Sequence, residues 1–467
     1  MSSIKVTLKN IISLSTAELA SRFLTVVYSI YLARVLLVEN FGIFGSAKYL
    51  VVYFILLSNM GLDSIGTREV AANKSQLKSI VDNLFTLRLF MGLAGYLLLF
   101  VVTYFLPKPI EEKIIILIFG INILANNSLL NWVFQGLEKI DIYALRTLIT
   151  NLLNFFGILL FVHSPQDLRL ATIIIVASFS FNSFLLIIYY HYKIEHLTLS
   201  FKLNLWKKYL SEAYPIGFTF LIIGVYNFLP IVLLSLLTNN FYTGLYTSVA
   251  NVFLIATLLS TVIQAVYYPQ FAQNQTREDR ESTFMQFAKF MFSFGTFIPL
   301  FLFVFADKVV LIFGKDYSPA MPSIRLVMIA SLFSYYSGGL FCALIAWKQE
   351  KKVVFANLAG LIATLIINIL LIPHLYDKGA AIAALTGEIV VFVVLASIFY
   401  NFLKKIYLFQ YLKFLSIAII STIPFIIFKL NTLQTFFLMV LSILTFMALI
   451  FLTKILRFSD IKRIFNR

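Results

Sequence analysis

One cysteine, Cys342, occurs in the whole chain, and it stands inside an apolar stretch, so no disulfide can close within the molecule. Four histidines, His163, His191, His196 and His374, are scattered without the spacing of metal ligands. A phosphate loop of the form Gly-x4-Gly-Lys-Ser/Thr is missing. The nearest string, FGKDY at 313–317, lacks both the preceding glycine and the hydroxyl residue, which excludes ATP hydrolysis by the chain alone. Neither a nucleophile elbow nor the set of kinase motifs is present. No catalytic residue, metal or cofactor is therefore assigned, and the chain is not expected to be an enzyme. Charge is scarce too, at 12% of residues against about a quarter in soluble domains.

Apolar residues fill that space, at 60% of the chain with 49 phenylalanines among them. They come in continuous blocks of roughly 20, the length that crosses about 30 Å of hydrocarbon as a helix. Continuous rather than alternating apolarity argues against a barrel. The pattern predicts an all-α polytopic membrane protein of about fourteen helices, at 12–33, 42–60, 84–106, 114–134, 143–162, 170–191, 214–237, 243–268, 284–306, 323–347, 353–373, 379–401, 408–428 and 433–453. Segment 62–83 is too polar to span and reads as a short amphipathic surface helix. The first span carries Glu18 and Arg22 and no small-residue cleavage site, which reads as a retained helix rather than a signal peptide.

The net charge of +16 would suggest nucleic acid in a soluble protein, but here it is a topology signal and no nucleic acid partner is expected. With the N-terminus inside, the cytoplasmic loops hold roughly three times as many Lys and Arg as the outer ones, which places both termini in the cytoplasm. All outer loops are short, the longest being 307–322. A weak repeat is visible: FGIFGSAKYL (41–50) resembles TGLYTSVANV (243–252), and NWVFQGLEK (131–139) resembles IAWKQEKK (345–352). The chain accordingly divides into a six-helix lobe over 1–205, a second over 206–403, and two additional helices with a tail over 404–467. Such repeats mark transporters whose substrate site lies between halves.

Charges inside spans cost roughly 2.5–3.5 kcal/mol each on insertion scales and are functional candidates. Glu18 and Arg22 share one helical face and can pair. Lys48 lies two turns into the second span with no acidic neighbour in sequence, so it must face water, a partner from another span or an anionic ligand. Arg34 can snorkel at the outer interface. Arg88, Arg146 and Arg325 stand at span ends, where they either snorkel or contact ligand. Glu388, mid-span in the twelfth helix, suits a proton or sodium ion, or pairing with an interior cation. Asn126, Asn127, Asn131 and Gln135 can line a polar cavity or bond between helices. Pro215, Pro230, Pro269, Pro299 and Pro373 fall in or near spans, where they can bend helices or are simply tolerated. A cavity of net positive charge in the first lobe suits an anionic phosphate or pyrophosphate headgroup.

The stretches LARVLLVENFGIFG (32–45), NMGLDSIGTREVA (59–71), NWVFQGLEKIDIY (131–143), GLYTSVANVF (244–253), VYYPQF (266–271), LIFGKDYSPA (311–320) and NILLIPHLYDKGAAIAALTGE (368–388) occur in the expected order over about 350 residues. Together they resemble the polysaccharide biosynthesis flippases of the multidrug/oligosaccharidyl-lipid/polysaccharide (MOP) exporter superfamily, in particular bacterial O-antigen repeat-unit translocases. The resemblance implies two six-helix bundles around a central cavity. It also implies alternating access that turns undecaprenyl-pyrophosphate-linked oligosaccharides from the inner to the outer leaflet of the cytoplasmic membrane. The similar lipid II flippases add two helices, as spans 13 and 14 do here. In that branch cations in the first two spans are thought to contact the pyrophosphate, which carries over to Arg22 and Lys48, with Glu18 orienting Arg22. Lys48 stands where that branch tends to use arginine, and no cation lies between Thr243 and Pro269, where it uses one in the eighth span. The partners implied are the lipid-linked oligosaccharide and the bilayer, with polysaccharide polymerase and glycosyltransferases as candidates for a complex and a proton or sodium ion for coupling. A cation-coupled multidrug exporter would need acidic residues in the cavity, and a membrane polymerase would need a large outer loop. A purely structural membrane subunit would not need the interior charges.

Overall fold

The computed structural model describes residues 2–273, 276–403, 408–422 and 432–453, with side chains from Ala20 onward at most positions. The Glu18 side chain and the tail cations Lys454, Arg457, Lys462, Arg463 and Arg467 lie outside the described residues. The described chain is helical, and ten of its helices are long and apolar enough to cross a membrane. It forms two compact units, dividing between Thr247 and Ser248. The protein is thus an all-α multi-pass membrane protein.

The first unit opens with α1 (Ser2–Asn59), whose 58 residues would reach about 87 Å at 1.5 Å per residue, nearly three hydrocarbon thicknesses. A single residue divides it. Leu37, at φ 62 and ψ 174, takes the left-handed region that a leucine rarely adopts, and separates limbs over 2–36 and 38–59. The sequence predicts a connecting loop over 34–41 between two spans; the chain makes this connection through one strained residue. Asn40 secures the joint by donating from Nδ2 to the Pro165 carbonyl at 2.8 Å.

Next come α2 (Leu62–Ala72), α3 (Leu77–Phe105), α4 (Ile110–Asn127), α5 (Asn131–Gly136), α6 (Ile140–Phe161), α7 (Leu168–Lys193) and α8 (Leu203–Leu237). Only 62–72 of the expected surface segment forms the amphipathic helix. Residues 77–83 belong to the long α3, because Ile80 through Arg88 are all buried. Nor is α2 merely a surface element: Leu62, Ile65 and Val70 join Trp132, Val133 and Phe134 of α5 in one apolar core. Gly66 lets the Trp132 ring lie flat on α2, since a Cβ there would stand 2.4 Å from the indole.

The second unit holds most of α9 (Asn240–Gln273), then α10 (Arg277–Val304), α11 (Ala306–Leu311), α12 (Met321–Ala346), α13 (Glu350–Leu375), α14 (Asp377–Leu403), α15 (Leu408–Thr422) and α16 (Thr432–Leu452). Its core is aromatic. Phe271, Phe284 and Phe287 of α9 and α10 cluster with Trp347 and Phe399. Phe446 of α16 stacks on Phe297 at 3.8 Å, which docks α16 on α10.

The two stretches 131–139 and 345–352 end in like turns. After α5 the chain reverses through Glu138 at φ 61, and Lys139 N–H bonds back to the Phe134 carbonyl. After α12 it reverses through Lys348 at φ 59, and Gln349 N–H bonds back to the Leu344 carbonyl. These are the same helix-ending turn, with the 6→1 bond of a Schellman motif, 210 residues apart.

Candidate functional site

Two of the arginines chosen from the sequence lie near the seam of α1 with α6. Thr25 Oγ1 bonds Asn151 Oδ1 at 2.9 Å, Tyr31 donates to the Val162 carbonyl at 2.7 Å, and Asn40 reaches Pro165. Both helices therefore run in the same direction, and their register is fixed. Arg22 stands three residues before Thr25 and Arg146 five before Asn151, about 4.5 and 7.5 Å back along the two axes. The seam thus brings two arginines chosen from the sequence to one level. The Arg146 guanidinium lies 5.6 Å from the Phe179 ring, and Asn182 of α7 donates to the Arg146 carbonyl at 3.0 Å. Sequence reasoning missed the polar groups beside them: Thr25, Asn151, and the buried Ser21 and Asn154, whose side-chain oxygens lack a hydrogen-bond partner among the described residues. Polar residues three and four apart on 147–154 were the available signal.

Lys48 is half-buried eleven residues past the break at Leu37, about 16 Å along the second limb. Its ammonium lies 5.3 Å from the ring of Tyr49, which itself stacks on Phe228 of α8 at 4.8 Å. Among the described residues, no carboxylate lies within ion-pair distance of Lys48.

Arg88 sits differently. It is 1% exposed, forms an ion pair with Asp63, donates from Nη2 to the Asn126 carbonyl at 2.9 Å and lies 5.9 Å from the Trp132 ring. Asn59 bonds the other Asp63 oxygen at 2.6 Å, so the arginine pins α1, α2, α3, α4 and α5 together. Asn127 is fully buried and donates to Ser58 Oγ at 2.7 Å and to the Ile123 carbonyl at 2.9 Å, an interhelical bond of the kind weighed from the sequence. Asn131 is half-buried with its side-chain oxygen unpartnered among the described residues, and Gln135 is exposed within 3.5 Å of Thr67 Oγ1. In the second unit Arg325 lies 5.8 Å from the Phe303 ring and Glu388 is half-buried on α14.

In the first unit, small residues make close backbone contacts beside the α1 break. A Cβ on Gly42 would stand 2.1 Å from the Asn240 carbonyl oxygen, and one on Gly244 would stand 1.9 Å from that of Val38. Gly45 meets the Thr247 side chain in the same way. The two segments that resemble each other in sequence thus touch, backbone against backbone, at the start of α9. Beside them the buried Glu112 is held by Lys108 at 2.8 Å and by Asn240 Nδ2 at 2.6 Å.

Long apolar helices in two units, with cations placed inside the membrane segments of the first, define a polytopic membrane protein of the transporter class. The family described as polysaccharide biosynthesis protein matches residues 7–275, more than half the chain, and the chain belongs to that family. It is 24% identical over 284 residues to a capsular polysaccharide biosynthesis protein of Staphylococcus aureus, covering 59% of this chain and 70% of that one. A protein named as a candidate O-antigen transporter of Shigella dysenteriae is 27% identical over 256 residues, 52% of this chain and 60% of its own length. Among solved structures, the lipid II flippase MurJ in an inward closed conformation shares the fold with a TM-score of 0.77 at 14% identity, over 94% of this chain and 97% of that one. An inward-facing multidrug resistance MATE transporter of the MOP superfamily gives 0.62 at 14% identity, over 80% and 92%. The membership and the shared fold agree with the resemblance read from the ordered sequence stretches.

Proposed function

We propose that the chain turns polyprenyl-pyrophosphate-linked oligosaccharide repeat units, of O-antigen or capsule type, from the inner to the outer leaflet of the bacterial cytoplasmic membrane by alternating access. One observation carries this reading. Lys48 is a cation within a long apolar helix, with no carboxylate against it among the described residues, at a cost that a phosphate-bearing ligand would offset. Arg22 and Arg146, level with each other on α1 and α6, supply further positive charge for the pyrophosphate, and Glu18 orients Arg22. Thr25 and Asn151 are the polar groups next to that charge. Arg325 remains assigned to the substrate path and Glu388 to a coupling proton or sodium ion. The family membership and the names of the relatives support the substrate class.

Fourteen crossings with both termini in the cytoplasm fit the same elements. The ten long apolar helices count α1 once although it breaks at Leu37, and Leu145–Phe161 and Phe437–Leu452 are shorter apolar helices. Helix α15 adds another apolar segment.

The test uses a strain that depends on this chain for its surface polysaccharide. Lys48→Ala or Arg22→Ala should leave the protein inserted at normal level and abolish surface polysaccharide, while Lys48→Arg restores it. Glu388→Gln should slow export without changing membrane insertion. Normal polysaccharide from well-expressed Lys48→Ala and Arg22→Ala proteins would sink the assignment.

A further inference from the structure

The segment joining α7 to α8, residues 194–202, has no regular structure, yet it is fixed to the protein along its length. Thr198 N–H donates to Asp82 Oδ1 at 2.9 Å, and the Thr198 hydroxyl reaches the other oxygen of the same carboxylate. Ser200 N–H donates to Thr86 Oγ1 at 2.9 Å, and Lys202 N–H to Asn83 Oδ1 at 3.2 Å. Ser200 Oγ adds a bond to Asn83 Oδ1 at 3.1 Å, and Lys78 reaches the His196 carbonyl from the same face of α3. From Thr198 to Lys202 every second N–H is thus taken by a side chain of one α3 patch, Asp82, Asn83 and Thr86, which is itself buried. Strand-like alternation follows: the residues between must point the other way.

Those residues are apolar. Leu199 is 60% exposed, Phe201 59% and Leu203, at the start of α8, 69%. A water-facing linker would carry its polar side chains outward and its apolar ones inward; here the order is reversed. Phe201 does not stand alone. It meets Phe90 of α3 at 5.8 Å and Trp206 of α8 at 6.0 Å, making an aromatic group of the kind that collects where a membrane meets water. The bonded α3 residues lie in its second and third turns, so the linker runs alongside a membrane helix rather than beyond its end. Lys193, Lys202, Lys207 and Lys208 flank the apolar row, against Glu195 and Glu212, which leaves an excess of positive charge beside it.

We propose that residues 199–206 form a membrane-interface anchor. Leu199, Phe201 and Leu203 insert into the acyl boundary of the leaflet at this end, and the neighbouring lysines meet anionic lipid headgroups. The α3 patch satisfies the backbone that such a shallow insertion would otherwise leave without hydrogen bonds. The linker between the two sequence-defined lobes is then held in the bilayer surface instead of hanging in water.

The full chain reconstituted in phosphatidylethanolamine vesicles containing about one-third phosphatidylglycerol provides the test. Nitroxide labels on Leu199→Cys, Phe201→Cys and Leu203→Cys, with Cys342 left buried or replaced by Ser, should collide more with oxygen than with a water-soluble nickel relaxer, and a label on Lys207→Cys should show the reverse. The unmodified chain supplies a second measurement that risks no misfolding. Lipids brominated near the headgroup should quench part of its tryptophan fluorescence, and Trp206→Phe should remove that part, because Trp132 and Trp347 are buried. Replacing phosphatidylglycerol by phosphatidylcholine should reduce both effects. Equal access of the nickel relaxer at all four sites, or quenching unchanged by Trp206→Phe, would overturn the anchor.

Discussion

Lys48 and Arg88 are both cations within apolar sequence, and their surroundings separate their roles. Arg88 is 1% exposed and has three partners, a carboxylate, a backbone carbonyl and an indole face. Removing it would leave Asp63 without its counter-charge and the Asn126 carbonyl with only its backbone bond from Leu129 N–H. Loss of a fully buried pair partner costs about 3–5 kcal/mol, but Asp63 is 46% exposed and can be hydrated, so about 2 kcal/mol is the expected loss. Arg88→Ala should therefore lower the thermal midpoint of the purified protein and its level in the membrane, while each folded molecule keeps its transport rate. An unchanged midpoint with transport lost would move Arg88 from the frame of the protein to its binding site. Lys48 should behave in the opposite way, because the ring of Tyr49 is a weak partner that alanine would not leave stranded.

The elements show where sequence reading succeeds and where it stops. The long apolar helices were legible because apolar length alone specifies a membrane helix, whereas the like turns at Glu138 and Lys348 are marked by no glycine or asparagine. The single-residue break at Leu37 was not, because leucine carries no signal for a positive φ. The Thr25–Asn151 seam and the α3 patch that holds the linker were hidden for another reason: their partners lie 126 and more than 110 residues away, and Asp82 reads locally as an ordinary interfacial charge. Arg22 and Arg146 were each visible in the sequence, but their common level was not, because it depends on that same register.

Glycine has a definite task at the contact between the start of the second α1 limb and the first turns of α9. At Gly244 any Cβ would collide with a backbone oxygen, which cannot rotate away. Overpacking of a tight contact costs typically 1–3 kcal/mol. Gly244→Ala should accordingly lower the thermal midpoint and reduce export. Gly339→Ala meets only the edge of the Phe287 ring at 3.3 Å and should be close to neutral. Equal effects of the two substitutions would show that the helix contact tolerates separation.

At the scale of the molecule, an all-helical membrane protein of the polysaccharide biosynthesis family holds in its first unit Lys48, a cation with no carboxylate in ion-pair distance among the described residues, and its relatives are named for capsule and O-antigen work. The central claim is that it moves a finished lipid-linked oligosaccharide rather than building one. Deleting the chain and analysing the lipid-linked oligosaccharides left in the membrane tests this most directly. The account predicts that complete repeat units accumulate on the inner leaflet, and that Lys48→Ala supplied in trans reproduces the accumulation. Incomplete units, or complete units distributed normally across the leaflets, would contradict it.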